Sequence, residues 1–401
     1  MELTAGYKGT DAGVIPDGWS VGTFGEVCRV NQGLQVAIEK RLKYRTKIAK
    51  IYITIQFLND RKSIEYIETY PLSACCSYDD VLMTRTGNTG IVVSGVEGVF
   101  HNNFFKINFN KKILVREYLI SFLCLGSTRK TILMKAGTST IPDLNHSDFY
   151  SIPLPIPPVS EQRKIAIALA DVDALIAGLE KLIAKKRDIK QAVMQQLLTG
   201  QTRLPGFSGE WKVKRLGEIC EISMGRTPSR LNPAFWGAGH VWLSIADLHG
   251  KVLSSSKEQI TPLGASSMRV IPKGTLLMSF KLSIGRLCFA GCDLYTNEAI
   301  CGFNNLLANS DYLYYALSRT DFSLYGKQAV KGYTLNKKSL ALVEVALPSD
   351  VEQAAIANVL SSMDAELSDV ENRLAKTRDL KQGMMQELLT GRTRLIEVSE
   401  K

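Results

Sequence analysis

The side chains best suited to chemistry in this sequence are cations and hydroxyls grouped in short polar segments. Residues 40–47 hold five basic side chains and one tyrosine. Residues 84–90 read TRTGNTG and residues 279–286 read SFKLSIGR, each at the end of an apolar run. In loops of this kind, backbone N–H groups, hydroxyls and lysines bind phosphate oxygens, while arginine and asparagine can hydrogen-bond to base edges. The predicted chemistry is therefore the non-covalent binding of a polyanion.

These segments and similar ones supply a set of candidate nucleic-acid contacts, which are all basic, hydroxyl, amide or tyrosine side chains. In the first half of the chain they are Arg41, Lys43, Arg45, Lys47, Thr84, Arg85, Asn88, Thr89, Lys135 and Thr138. In the second half they are Arg226, Thr227, Arg230, Lys281, Ser283, Arg286, Lys331, Tyr333 and Lys337. Any one of these loops is as readily an ordinary solvated turn. Their recurrence at matched places is the stronger argument.

Sequence patterns typical of catalysis are missing. The sequence has no GxxxxGK[ST] phosphate loop, no HExxH and no GxSxG. Asn232-Pro233-Ala234-Phe235 approaches the [DNS]PP[YFW] loop of amino-methyltransferases, but alanine replaces the second proline, and we interpret it as a turn. The eight cysteines contain no CxxC pair, so a zinc site is not indicated and reduced thiols are expected. We therefore predict a non-catalytic reader with no cofactor or metal of its own.

The elements that position these residues come from an internal duplication. Residues 161–204 and 352–395 align without a gap at an offset of 191, with 23 identities in 44 positions. The identities include the polar run LLTG-x-TRL, which two unrelated amphipathic helices would not share. Fainter matches precede each copy and pair Trp19 with Trp211, Cys28 with Cys220, Gly33 with Gly225, Gly90 with Gly285 and Asn102 with Asn297. We interpret the tryptophans and cysteines as packing residues, whereas a turn cap and a DNA contact both stay open for the asparagines.

Both copies of the repeated segment predict a long helix. Apolar residues follow the alternating four-three spacing of a heptad seam from Ile165 to Ile183 and again from Ile356 to Leu374. Gly200 and Gly391 provide the helix ends. The seams predict that the two helices pair as an antiparallel coiled coil, with a pseudo-two-fold relation between the copies. A coiled coil between separate chains is the alternative.

The segments ahead of the helices predict α+β domains. Short β-branched or aromatic runs at 51–58, 90–99 and 276–280 predict strands, and 117–125 and 312–318 predict helices. The predicted boundaries are recognition domain 1 at 1–157, helix 1 at 158–203, recognition domain 2 at 204–348, helix 2 at 349–395 and a tail at 396–401. The formal charge of +10 falls mainly on the two variable segments, with +4 in 1–160 and +5 in 204–351. This distribution favours two binding surfaces for one polyanion.

This organisation resembles the specificity subunit of type I restriction-modification systems, over nearly the whole chain. The motifs that carry the resemblance are the helix starts PIPP-x-SEQRKIA at 155–166 and LPSDVEQAAIA at 347–357, the W-x5-GE[VI]C segments from Trp19 and Trp211, and the LLTG-x-TRL ends. The resemblance implies that each variable segment is a target-recognition domain that reads half of a bipartite duplex DNA site. It implies that the helices fix the spacing and dock two methyltransferase subunits, which carry S-adenosylmethionine, and that restriction subunits can join.

A cytoplasmic location is expected, because the chain has no apolar run of membrane-spanning length and no signal-like N-terminus. Two alternatives remain at this point. One is a scaffold that gathers proteins on its coiled coil without binding DNA. The other is a single-chain methyltransferase with built-in specificity, against which the missing cofactor loop argues.

Overall fold

The structure is a computed structural model that describes residues 5–60, 64–137, 141–281, 283–329 and 332–396, with the backbone alone at 327–329 and 332–334. It confirms the predicted α+β class, with two globular regions and two long helices. The chain divides into two compact units. The first contains the residues up to Glu180 and those from Asn372 onward, and the second contains Lys181–Glu371.

The first globular region alternates short strands with short helices. Its strands are β1 (Tyr7–Thr10), β2 (Gly13–Pro16), β3 (Ser20–Thr23), β4 (Cys28–Gln32), β5 (Lys50–Ile53), β6 (Tyr66–Ile67), β7 (Cys75–Cys76), β8 (Val81–Thr84), β9 (Val92–Val93), β10 (Gly98–Phe100), β11 (Phe104–Phe109) and β12 (Pro153–Ile156). Its helices are α1 (Phe24–Val27), α2 (Ile55–Asn59), α3 (Arg116–Cys124), α4 (Gly126–Lys135) and α5 (His146–Tyr150), with 3₁₀ turns at Ile38–Lys40 and Leu72–Ala74. The long helix α6 (Val159–Leu198) follows.

The second globular region repeats much of this order. Its strands are β13 (Lys212–Arg215), β14 (Glu221–Met224), β15 (Trp236–Leu243), β16 (Val252–Leu253), β17 (Glu258–Ile260), β18 (Leu276–Ser279), β19 (Leu287–Ala290), β20 (Tyr295–Thr296), β21 (Ile300–Asn304), β22 (Lys327–Ala329), β23 (Gly332–Thr334) and β24 (Glu344–Leu347). Its helices are α7 (Leu216–Ile219), α8 (Pro262–Ala265), α9 (Ser310–Ser318) and α10 (Lys337–Ala341), with 3₁₀ turns at Pro233–Phe235, Ile245–Asp247 and Phe322–Tyr325. The long helix α11 (Asp350–Leu388) follows.

The sheets show that the duplication extends into the variable segments. The order β4-β11-β8-β9 in the first region corresponds to β14-β21-β18-β19 in the second, and both ladders are antiparallel. The pairs β3-β12 and β13-β24 also correspond, as do the parallel pairs β5-β10 and β15-β20. Two regions with little sequence identity therefore hold their loops on one common framework.

Part of the strand prediction is wrong. Residues 51–58 were expected to be extended throughout, but β5 ends at Ile53 and helix α2 begins at Ile55. The Thr54 side chain accepts a hydrogen bond of 3.2 Å from the Phe57 N–H and thereby caps the helix. The helices predicted at 117–125 and 312–318 are confirmed as α3 and α9.

The long helices pack together as a coiled coil, as the heptad seams predict. In the first unit, Ile165 and Leu169 of α6 lie in one core cluster with Leu388 at the end of α11. Lys381 pairs with Asp173 at 2.6 Å and Arg378 with Glu180 at 2.6 Å, so residue numbers rise along one helix as they fall along the other. The helices in this unit are therefore antiparallel.

The second unit repeats this pairing with the roles of the helices exchanged. Leu197, near the end of α6, shares a core cluster with Ile356 and Leu360, near the start of α11. Lys190 forms an ion pair with Asp364, which repeats the pair between Lys381 and Asp173 at the offset of 191. Exposed pairs of this kind contribute only about 0.2–1 kcal/mol each, so the apolar seam is the main source of stability.

Candidate nucleic-acid interface

The glycine-rich loop after β8 is organised by a buried hydroxyl. The Thr84 side chain is fully buried and accepts a hydrogen bond of 2.9 Å from the Ile91 N–H, while it donates to the Asn88 carbonyl. Gly90 has a φ of +85°, which favours glycine, and its N–H donates to the Thr84 carbonyl at 2.8 Å. The Thr84 hydroxyl thus holds the loop closed, and Asn88 is the exposed side chain at its tip.

The loop after β18 is built in the same way. The buried Ser279 hydroxyl accepts from the Arg286 N–H at 3.0 Å and donates to the Ser283 carbonyl. Gly285 also has a φ of +85°, and its N–H donates to the Ser279 carbonyl at 2.9 Å. Here the exposed side chains are Lys281 and Arg286, and neither forms an ion pair among the residues that the structure describes. The two loops therefore share a scaffold and differ in the side chains that they present.

The Arg85 side chain joins the loop after β8 to the segment at 143–144. It is only 14% exposed, pairs with Asp143 at 2.9 Å and donates from Nε to the Leu144 carbonyl at 3.1 Å. Its guanidinium also lies 5.3 Å from the centre of the Phe105 ring. Thr89 is likewise buried, and its hydroxyl lies 2.9 Å from the carbonyl oxygens of both Arg85 and Pro142, which share its one proton. These two predicted contacts thus have intramolecular partners.

The cations of the segment at 40–47 fall into two sets: Arg41 and Lys43 pair with Glu65, whereas the outer cations, Arg45 and Lys47, line a cleft. Arg41 donates to Glu65 at 2.9 Å and to the Val36 carbonyl, and it lies over the ring of Tyr52. Lys43 reaches the other oxygen of Glu65 at 2.6 Å from an exposed position. Burial raises the pKa of Glu65, but the Lys43 ammonium and the Arg41 guanidinium outweigh it and hold that pKa below its usual value.

The outer cations line an open cleft. Arg45 and Lys47 lie there with Lys50 and with the tyrosines Tyr70 and Tyr78, around a volume of about 460 Å³. Glu97 is the acidic residue of the lining. Cations between aromatic rings suit a nucleic-acid backbone or an unstacked base. Sequence reasoning missed Lys50 and both tyrosines, because they come from strands and turns that are distant from the basic run.

The segment after β14 forms a second polar cluster. The Arg230 guanidinium lies 3.6 Å from the centre of the Trp236 ring and bonds both oxygens of Glu258, at 2.5 and 2.8 Å. Its hydrogen bonds lower the pKa of Glu258. Thr227 donates to Glu298, and Arg226 is exposed. Arg230 is therefore held at the surface between Trp236 and Glu258, and its bidentate donor pair is taken up by Glu258.

The other predicted contacts are scattered. Lys135 is half-buried at the end of α4, and Lys337 is exposed at the start of α10. Thr138 and Lys331 lie outside the described residues, as does the side chain of Tyr333.

The matched glycines identify the true register of the repeat. A Cβ on Gly33 would lie 2.1 Å from the Phe100 carbonyl oxygen, and one on Gly225 would lie 2.2 Å from the Asn297 carbonyl oxygen. Asn297 accepts a 3.1 Å bond from the Ala299 N–H, as His101 does from the Asn103 N–H. Asn297 is thus a turn cap, and its structural counterpart is His101 rather than Asn102. This corrects the sequence alignment by one residue.

The predicted turn at Asn232–Phe235 is confirmed as a 3₁₀ turn capped by the Asn232 side chain. Burial raises the pKa of Cys28 and of Cys288 to about 12, so these thiols are poor nucleophiles and poor metal ligands. The described residues contain no group of His, Cys, Asp and Glu arranged to hold a metal ion. Over the same residues, no helix is long and apolar enough to cross a membrane.

Comparison with known proteins adds the family. The type I restriction modification DNA specificity domain matches the chain twice, over residues 16–189 and 208–377. The putative type I restriction enzyme MjaX specificity subunit of Methanocaldococcus jannaschii is 23% identical, over 97% of this chain and 97% of that protein. The MjaIX specificity subunit of the same organism is 34% identical, but that match spans 41% of this chain and 40% of the relative.

Two solved structures share the fold. The S subunit of the type I restriction-modification system of M. genitalium has a TM-score of 0.58 at 14% identity, over 97% of this chain and 98% of that one. A chain from a structural study of complex assembly and conformational transition in a type I R-M system has a TM-score of 0.62 at 20% identity, over 94% and 99%. With both domain matches covering most of its length, the chain belongs to the type I restriction-modification DNA specificity family that its sequence resembles, and it is a non-catalytic specificity subunit.

Proposed function

We propose that the chain reads a bipartite site in duplex DNA, with one half-site for each recognition domain. The observation that carries this proposal is the pair of loops after β8 and β18. Their buried hydroxyls make the same hydrogen bonds, yet one loop presents Asn88 and the other presents Lys281 and Arg286. A constant scaffold with different exposed side chains suits two readers of different base sequences.

The charge distribution supports two separate contact surfaces. The variable segments carry +4 and +5 of the formal charge of +10, and the exposed cations Arg45, Lys47, Arg226 and Arg286 are divided between them. Phosphate contacts from such cations supply affinity that falls with salt, while base contacts supply specificity. Because both half-sites are held by one chain, binding of one raises the effective concentration of the other.

The long helices are proposed to set the distance between the half-sites and to dock two methyltransferase subunits. Ile189 and Leu380 occupy the same repeat position and are 45% and 58% exposed on the helix surface. Exposed apolar side chains at the same repeat position of both copies support the docking of two identical partners. In this proposal the partners carry S-adenosylmethionine and extrude the target adenine from the duplex. Restriction subunits can join this assembly, and we expect it to act on DNA in the cytoplasm.

The test is co-expression of the chain with its methyltransferase, followed by mapping of methylated adenines across the genome. A two-part motif with a fixed gap is the expected result. A continuous motif would contradict the two-reader proposal. DNA that stays unmethylated, together with no binding to duplex at low salt, would favour the scaffold alternative.

A second experiment addresses spacing. Seven residues inserted into each long helix keep the heptad seam and lengthen the pair by about 10 Å, which is about three base-pair steps. The gap in the mapped motif should grow by about that number while both half-sites keep their bases. The control is an insertion of seven glycine and serine residues after Ile396, which should leave the gap unchanged. An unchanged gap in the helix variant would refute the spacing role.

A further inference from the structure

A small cleft in the second unit combines cations with an unpartnered hydroxyl. The cleft is lined by Gly225, Arg226, Ser267 and Arg269, together with Thr296 of β20. Its volume is about 210 Å³, below the roughly 300–1,000 Å³ of pockets for drug-sized ligands. The size suits a single small anion better than a nucleoside.

The charge of the cleft is positive. Arg226 is exposed and forms no ion pair with any residue that the structure describes. Arg269 pairs with Glu221 at 2.7 Å through one nitrogen, and its other nitrogen lies 3.5 Å from the same carboxylate. Glu221 itself does not line the cleft, and the remaining lining residues, Ser223, Met224, Met268 and Ile271, are neutral. An anion there would face two guanidinium groups and no lining carboxylate.

The Thr296 hydroxyl is enclosed beside Gly225, since a Cβ on Gly225 would lie 2.2 Å from Thr296 Oγ1. The residue is 1% exposed, and within the described part of the chain its Oγ1 has no hydrogen-bond partner. Its backbone is fixed, because its carbonyl accepts a 2.8 Å bond from the Arg226 N–H and it pairs with Leu243 in the sheet. The close packing of Thr296 against Gly225 and its bond to Arg226 thus hold the Arg226 backbone at the cleft.

The first unit lacks this polar set. There the Leu34 N–H donates to the Phe100 carbonyl at 2.9 Å, so Leu34 and Phe100 occupy the positions of Arg226 and Thr296. Leu34 follows Gly33 and Arg226 follows Gly225, and a Cβ on either glycine would clash with neighbouring backbone atoms. The cations and the hydroxyl are therefore features of the second domain and are not required by the shared framework.

We propose that this cleft binds one phosphate group of the DNA backbone beside the half-site of the second domain. Arg226 and Arg269 donate to the phosphate oxygens. The inference rests on the proposed function. A phosphate contact fixes the position of a domain on the duplex and carries no base information, so the cleft supplies register and affinity rather than sequence preference.

The experiment uses the complex with the methyltransferase and compares Arg226→Gln with Lys212→Gln, which removes an exposed cation that does not line the cleft. Duplexes with the mapped site and with scrambled half-sites are titrated at several salt concentrations. Arg226→Gln should weaken binding to both duplexes by the same factor and reduce the slope of log Kd against log salt by about 0.9 relative to the control. A preference altered at one base pair would show that Arg226 reads a base, and that result would overturn the proposal.

Inorganic phosphate tests the cleft without DNA. It should raise the melting temperature of the full chain, and by less in Arg226→Gln than in Lys212→Gln. If the parent complex shows no preference for any duplex sequence, the proposed function fails while this measurement still decides whether the cleft binds an anion. Identical behaviour of the two variants in both experiments would refute the cleft.

Discussion

Glu161 at the start of α6 joins three distant parts of the first unit, and its removal should destabilise that unit strongly. Arg394, which follows α11, donates from two nitrogens to its carboxylate at 2.7 and 2.8 Å. The indole N–H of the buried Trp19 donates to the same carboxylate at 2.9 Å. The perturbation is Glu161→Ala, which leaves both donors without their acceptor.

The expected loss of unfolding free energy follows from how deeply each charged group is buried. Removing one partner of a buried ion pair costs about 3–5 kcal/mol, and hydrogen bonds to charged groups contribute about 1.5–3 kcal/mol each. The Glu161 side chain is only 3% exposed, but that of Arg394 is 25% exposed, so water can solvate the freed guanidinium in part. The lower end therefore applies, and we expect the first unit to lose about 3 kcal/mol of unfolding free energy.

The repeat supplies a matched comparison. Glu352 holds Arg203 at 2.5 and 2.6 Å in the second unit, but the buried indole nitrogen of Trp211 has no partner among the described residues. Glu352→Ala should therefore cost about 1.5 kcal/mol less than Glu161→Ala, which is the lower end for one hydrogen bond to a charged group. Glu180→Ala, which breaks the exposed pair with Arg378, should cost under about 1 kcal/mol.

Hydrogen exchange in urea, read on peptides from each unit, is the suitable assay, because a chain with two units is not expected to unfold in one two-state step. The predicted order of loss is Glu161→Ala, then Glu352→Ala, then Glu180→Ala. If Glu161→Ala cost no more unfolding free energy than Glu180→Ala, the Glu161 carboxylate would not join Arg394 and Trp19 to the start of α6. Equal losses for Glu161→Ala and Glu352→Ala would show that the Trp19 bond adds nothing.

Three further predictions concern pH, backbone space and docking. Burial, with a smaller contribution from the Arg41 charge, lowers the pKa of His101 below its ordinary value of 6.5, so the unfolded chain takes up its proton first. The unfolding free energy of the first unit should be highest above about pH 6.5 and fall as the pH drops below that value. In unfolding measured from pH 7.5 to 5.5, His101→Gln should reduce this dependence on pH. An unchanged dependence would show that His101 does not cause it. Gly33→Ala should destabilise by at least about 1–3 kcal/mol, because its Cβ would lie 2.1 Å from the Phe100 carbonyl oxygen, whereas Gly178→Ala, with open space around it in α6, should stabilise by about 0.5–1 kcal/mol. Melting curves showing the opposite order would contradict the close backbone approach at Gly33. Ile189→Glu and Leu380→Glu should each weaken methyltransferase docking about 10- to 100-fold, since burial of such a side chain contributes about 1.5–3 kcal/mol. The control Lys181→Glu, at an exposed position, should change the docking affinity little. Equal losses of affinity for all three variants in a binding titration would show that charge alone decides docking.

Local periodicity and repetition were sufficient to predict the architecture. The heptads from Ile165 and Ile356 identified both helices and their pairing, because a seam of apolar residues has one economical partner in a duplicated chain. The strand that was expected to continue to Leu58 ends at Ile53, because the Thr54 side chain caps a helix that begins at Ile55.

The individual site residues were harder to predict because their roles depend on distant partners. Nothing near Arg85 in the sequence indicates that Asp143 will pair with it and draw it out of solvent. In the same way Arg41 is taken up by Glu65, while Lys50 joins Arg45 at an open cleft. The orphan hydroxyl of Thr296 leaves no signature in the sequence, since it arises from the close approach of Gly225.

In the proposed function one chain reads two half-sites at a distance fixed by its helices. The decisive measurement maps methylated adenines after co-expression with the methyltransferase, in the parent and in the variant with a heptad added to both helices. We expect a bipartite motif in the parent and the same two half-sites, separated by about three more base pairs, in the variant. A continuous motif, or a gap that ignores the added heptads, would contradict it.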